Sequence, residues 1–246
     1  ADKIIPIQDM CDIQSIGWLK EQVKVIMREK LNGVNRHRML YHYTSFDTFV
    51  KIWLSGSLRF SSVVNVNDKY EAEISVTSDN PQQIPLYYAF SDIRKSYKQI
   101  SFTMDYDSDM KGYMSPQMWG LYADKCKGVC IEFDYTKLQI SSNMLEGVVS
   151  YETTIKKEYN LPNDAKTIRD LESFVKQNRK DLFFTKEIGW SGENEYRILS
   201  NTEDFLNVAD AITAVYLISC YSNECLWVEK LVGDKIPIKC ITFGGF

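Results

Sequence analysis

The chain has 246 residues, 44% of them hydrophobic and 25% charged, enough to bury a sizeable core in one large domain, or in one domain with a helical extension. A formal net charge of −4 supplies no global attraction for nucleic acid or an anionic membrane, and no apolar run reaches the roughly 18 residues of a transmembrane helix. Six cysteines without a Cys-x-x-Cys pair, and only two histidines, are poor material for a zinc centre, so reduced thiols in a cytoplasmic protein are expected.

Ala1–Pro6 contains no apolar segment of the length a signal peptide needs. Ile13, Ile16, Leu19, Val23, Ile26 and Met27 recur at helical spacing. Lys20, Lys24 and Arg28 alternate with Glu21 and Glu29 as on a solvated helix face. This predicts a helical extension over residues 1–38 before a single α+β domain over 39–246. Met39–Tyr43 reads as a strand. Ser45 or Thr44 then caps a helix with Phe46, Phe49, Val50, Trp53 and Leu54 on its core face, and Gly56 ends it. A short strand follows over 57–61, and Asn67-Asp68 begins a short helix through Glu73. After a loop containing two prolines, the pattern predicts a helix near 86–97 and a strand over 99–104. Ser115-Pro116 starts a helix carrying Met118, Trp119 and Tyr122. Strands are predicted over 129–133, 148–151, 196–199, 215–219 and 236–243, with a long helix within 164–185 and another over 222–231. Strands and helices mix without regular βαβ alternation. The expected class is therefore α+β, with mixed or antiparallel short-stranded sheets and flanking helices.

Several motifs lead nowhere. Asp105, Asp107 and Asp109 resemble the start of a calcium loop, but its sixth and twelfth positions hold Met110 and Pro116. The run reads as a solvated turn, and no divalent metal is expected. Neither a Gly-x-Gly-x-x-Gly nor a Walker lysine motif occurs.

Four polar or aromatic islands remain: Tyr41-His42-Tyr43-Thr44-Ser45; Leu58-Arg59-Phe60-Ser61 with Asn67-Asp68 and Glu71; Trp119-Gly120-Leu121-Tyr122 leading into Lys127-Gly128-Val129-Cys130; and Glu193-Asn194-Glu195-Tyr196-Arg197. A histidine between two tyrosines at a strand end can bond a ligand while the rings offer stacking surface. The competing account is a core histidine among packed aromatics. Strand alternation places Glu193 and Glu195 on one face, where each raises the other's proton affinity and suits one of them to take a proton. The competing account is an exposed strand end with a surface ion pair. Arg59 and Arg197 face a similar choice between a pyrophosphate and neighbouring acids.

In order and spacing, these islands resemble the bacterial domain-of-unknown-function 2971 family over about residues 39–245. That family in turn looks like a distant branch of the ADP-ribosyltransferase-like fold. The resemblance implies NAD as substrate, His42 holding a ribose, and Glu195 as the catalytic glutamate with Glu193 as the leading acid. It further implies Ser101-Phe102-Thr103 as the middle strand of the site, with Tyr122 or Tyr43 stacking on nicotinamide. Thr44 and Arg59 complete the expected nucleotide-binding set. No glycine follows His42, and a Glu-x-Glu pair accompanies histidine where that branch has arginine, so the substrate class is not carried over. The expectation is an NAD-dependent ADP-ribosyltransferase or NAD glycohydrolase, a bacterial toxin or phage-defence effector acting on an unidentified macromolecular acceptor. The alternative is a catalytically idle member that binds a nucleotide or a protein partner.

Overall fold

A computed structural model describes residues 39–63, 74–77, 80–218 and 223–242. The helical extension predicted over 1–38 and the short helix predicted over 67–73 lie outside the described residues. In chain order the strands are β1 (Met39–Thr44), β2 (Ser57–Arg59), β3 (Ser61–Ser62), β4 (Ser75–Thr77), β5 (Lys98–Met104), β6 (Val129–Asp134), β7 (Leu145–Val148), β8 (Ser150–Glu152), β9 (Glu158–Asn160), β10 (Thr185–Glu187), β11 (Glu195–Ser200), β12 (Phe205–Asn207), β13 (Ile212–Leu217) and β14 (Ile238–Cys240). The α-helices are α1 (Phe46–Ser55), α2 (Ile84–Ser96), α3 (Pro116–Tyr122), α4 (Ile168–Gln177), α5 (Arg179–Phe183) and α6 (Asn223–Val232).

The central sheet runs β14-β13-β6-β1-β5-β11-β7, with β3 also paired to β5. Its pairings are antiparallel except for β13 with β14. Three two-stranded pairs, β8–β10, β2–β12 and β4–β9, complete the mixed α+β architecture. Alternation along each strand sorts the side chains onto two faces. Leu40, Phe102, Ile131, Phe133 and Ile198 face Phe49 of α1 and Val228 of α6 in the largest core. Tyr41, Tyr43, Cys130 and Tyr216 face the other way, against Trp119 of α3. Fully burying side chains of this size contributes roughly 1.5–3 kcal/mol each.

Local chemistry sets the boundaries. The Ser45 hydroxyl accepts from Thr48 N–H to start α1, and Gly56 closes it in the left-handed region at φ 63°. The long helix predicted within 164–185 is two helices. Asn178 (φ −95°, ψ 13°) divides them, its side-chain amide donating to the Phe174 carbonyl at 2.9 Å in competition with the backbone. The Asp105–Asp109 run is a turn in which one Asp107 oxygen accepts from the N–H groups of Asp109 and Met110. Cys126, Cys130 and Cys225 are free, but Cys240 is disulfide-bonded, against the expectation of reduced thiols throughout.

One irregularity positions everything that follows. Strand β5 exchanges partners along a single edge. It pairs with β1 through Leu40↔Met104 and Tyr41↔Thr103, then with β3 through Ser61↔Gln99 and Ser62↔Lys98. Between these rungs the edge at Ser101 has no strand beside it. The Ser101 carbonyl accepts instead from His42 Nδ1 at 3.0 Å, so a side chain takes the place of a ladder bond.

Candidate active site

A cleft of about 400 Å³ opens at this seam. Strand β1 contributes Tyr41, His42 and Tyr43, and β5 contributes Gln99 through Thr103. Arg59, Ser61 and Ser62 come from the β2–β3 segment; Met118, Leu121 and Tyr122 come from α3; Lys186, Glu193 and Glu195 close the far wall. Of the residues singled out from sequence, His42, Tyr43, Arg59, Ser101, Tyr122, Glu193 and Glu195 therefore share one cavity. Thr44 does not. It is buried against β6 opposite Val129, and the helix cap beside it is Ser45.

The acidic wall is a buried ionic cluster, not an exposed strand end. Glu193, Glu195 and Lys186 are 3%, 3% and 5% exposed, and Arg197 is wholly buried. Arg197 binds Glu195 through two parallel bonds, Nε to Oε1 at 2.6 Å and Nη2 to Oε2 at 2.8 Å. Its Nη1 donates to the Phe183 carbonyl at 2.8 Å. Lys186 Nζ bridges the two acids, 2.5 Å from Glu193 Oε2 and 3.2 Å from Glu195 Oε2. The Tyr122 hydroxyl donates to Glu193 Oε1 at 2.5 Å. Glu193 does not lie in the strand, contrary to the alternation argument. It ends a 3₁₀ turn over Ile188–Glu193, and Asn194 in the left-handed region (φ 43°) redirects the chain into β11. The Asn194 amide fixes that turn by donating to the Met104 and Asp105 carbonyls.

Electrostatics follow from this packing. Burial alone would raise the Glu195 pKa, but Arg197 first and then Lys186 outweigh it and hold the carboxyl down at about 2, with help from the Ser101 hydroxyl. Glu195 is thus an anion at neutral pH. The expected mutual raising of proton affinity does not apply to it, because the neighbouring cations dominate. Burial would likewise lower Lys186, yet the attraction of Glu195 and Glu193 leaves it above its ordinary value. His42 is shifted downward by burial, against the opposing pull of the Ser101 carbonyl. A carbonyl only accepts, so Nδ1 carries the hydrogen and Nε2 is left as an acceptor.

The aromatic residues divide between wall and core. Tyr43 donates to the Gly112 carbonyl at 2.5 Å and meets Trp119 edge-on at 5.3 Å. Gly112 also leaves room for the neighbouring Tyr41 ring, since a Cβ there would lie 2.3 Å from Tyr41 Cδ2. Trp119 is wholly buried and donates to the Tyr113 carbonyl. Arg59 is exposed at the rim, where it adds to the pull of Lys98 that keeps the Asp204 carboxyl below its ordinary pKa. Lys186 was not foreseen from sequence. Its one available signal was a lone cation just after the apolar run Leu182-Phe183-Phe184.

Residues 118–198 match the model of the family described as Protein of unknown function (DUF2971). The matched segment holds Tyr122, Lys186, Glu193, Glu195 and Arg197, while His42, Arg59 and Ser101 lie outside it. No curated protein matches the chain. Among the described residues, no group of three or more His, Cys, Asp or Glu side chains is placed to hold a metal ion, and no helix is long and apolar enough to cross a membrane.

Proposed function

We propose that the cleft takes NAD as a substrate and that the chain breaks its nicotinamide–ribose bond, as an ADP-ribosyltransferase or NAD glycohydrolase. The observation that carries this reading is a buried, ionised Glu195 on the wall of a cavity that also presents hydroxyls, a histidine and tyrosines beside Glu193, Lys186 and Arg59. As the C–N bond breaks, its electron pair leaves with nicotinamide and positive charge builds on the ribose, as in glycoside hydrolysis. A fixed carboxylate beside that sugar stabilises the charge without having to lose a proton first. Glu195 therefore acts electrostatically. Proton acceptance from the attacking water or acceptor falls to Glu193, which has two hydrogen-bond donors on it where Glu195 has three and the Ser101 hydroxyl as well. The setting proposed with this activity is that of a bacterial toxin or phage-defence effector.

A second reading has its own support. Arg197 and Lys186 already neutralise the two acids, which suits a nucleotide-binding member without catalysis. Incubation with NAD, with chromatographic measurement of free nicotinamide and calorimetric measurement of binding, separates the two. Release above the spontaneous rate, unaffected by EDTA, supports cleavage; binding without release supports the idle reading. Neither binding nor release overturns both.

A further inference from the structure

Thr103 Oγ1 is buried without a hydrogen-bond partner, the one such side-chain atom bordering the cleft among the described residues. Thr103 is 1% exposed. It stands directly opposite Tyr41 on one side and Glu195 on the other. Alternation along β5 puts Gln99, Ser101 and Thr103 on one face, and the first two are engaged. The Gln99 amide donates to the Ser101 hydroxyl at 3.3 Å, and Ser101 supports the charged form of Glu195. Thr103 alone in this row is unspent. Valine has the same shape, favours strands equally and carries no hydroxyl to desolvate, so packing gives no reason for threonine here.

We infer that Thr103 is a ligand-recognition residue whose hydroxyl is completed by a hydroxyl of a bound sugar, making this part of the cleft a polyol subsite. The inference rests on the nucleotide reading of the cleft and names the group that would be read there. A threonine hydroxyl both donates and accepts, which matches a sugar hydroxyl, and a turn about χ1 carries it between staggered wells toward a ligand. Glu193 retains capacity to accept from a second, neighbouring hydroxyl, and the ring surfaces of Tyr41 and Tyr122 suit the apolar edge of a sugar. An unpaired group in the free protein is stability set aside for binding.

Thr103→Val and Thr103→Ser in the full chain test this with two readouts. Without ligand, the valine variant should melt about 2–4 °C higher, because an unpaired buried hydroxyl has gone. Its affinity for NAD should fall about tenfold, the loss expected for one hydrogen bond to an uncharged partner, while the serine variant keeps most of the affinity. A lower melting temperature for Thr103→Val would show that the hydroxyl is already satisfied, and unchanged NAD affinity would leave the nucleotide reading standing without this subsite. With threonine methyls isotopically labelled, D-ribose should displace the Thr103 resonance. If it does so in a protein that does not bind NAD, the polyol subsite survives and the NAD reading fails. If neither D-ribose nor NAD moves that resonance, the inference is overturned.

Discussion

Among the described residues, two buried carboxyl clusters at the central sheet are partnered in contrasting ways. On β6 and β13, Glu132 accepts from the Thr213 hydroxyl at 2.8 Å and the Tyr216 hydroxyl at 2.7 Å, and Lys239 reaches only the tyrosine oxygen at 3.1 Å. The Tyr216 ring stacks on Tyr113 at 3.9 Å, so this cluster lies within packed aromatics. At the other end, Glu193 and Glu195 meet Lys186 and Arg197 directly, beside an open cavity. Burial of an acid therefore does not mark a site by itself. What distinguishes the cleft is that its acids are paired directly with two cations, at the cost of desolvating four ionisable groups.

The sharpest way to break this comparison is Arg197→Met, which keeps length and removes the cation. It leaves two buried acids sharing Lys186 as their one direct cation among the described residues, a loss of about 3–5 kcal/mol, read as a fall in melting temperature of roughly 10 °C or more. A change of only one or two degrees would mean that the cleft acids are no more charge-dependent than Glu132.

Glu195→Gln should come next, lowering nicotinamide release on the order of 100-fold while NAD affinity changes much less. Equal turnover in wild type and variant would remove Glu195 from the chemistry. The same substitution reports on acid stability. The folded pKa of about 2 lies below the ordinary 4.5, so the stability Glu195 contributes is fully present above about pH 4.5 and is lost as pH falls toward 2. The glutamine variant should therefore show a shallower decline in melting temperature across that window.

His42→Ala should cost about 1 kcal/mol by removing the bond to the Ser101 carbonyl, and should weaken NAD binding. Normal affinity with a larger loss of stability would make His42 purely a structural strut. The smallest effect belongs to the closed cluster. Thr213→Val should cost roughly 0.5–1.5 kcal/mol and leave NAD handling untouched, and any loss of turnover there would blur the distinction between the two regions.

Much of the sheet was readable from alternation and caps. The predicted strands over 99–104 and 129–133 differ from β5 and β6 by one residue at one end, because both are bounded by strong turn chemistry. Of the strand predicted over 236–243, Ile238–Cys240 forms β14 beside β13, with backbone bonds from Val215 N–H to the Pro237 carbonyl and from Ile241 N–H to the Leu217 carbonyl at its two ends, and residue 243 lies outside the described residues. Residue type brought His42, Tyr122 and the two glutamates forward, since few other roles suit them in that company. Lys186 stayed hidden because one lysine on a three-residue strand has no periodicity to betray its burial. That Arg197 could pair with neighbouring acids was open from sequence, but the burial of its hold on Glu195 was not readable. Both lie on one face of β11, but sequence does not disclose that the surroundings exclude water and force them together.

The exchange of partners along β5 also makes the sheet two leaves joined by a short seam. β14, β13, β6 and β1 form one leaf, and β5, β11 and β7 form the other. In the plane of the sheet, two rungs and the His42 side chain fasten them, and the apolar core on one face packs across both. Pulled across its width, such a sheet parts first at that line, and whatever lodges in the cleft is stitched to both leaves. An occupant there acts as a clasp, so that filling the site and stiffening the whole sheet become one event.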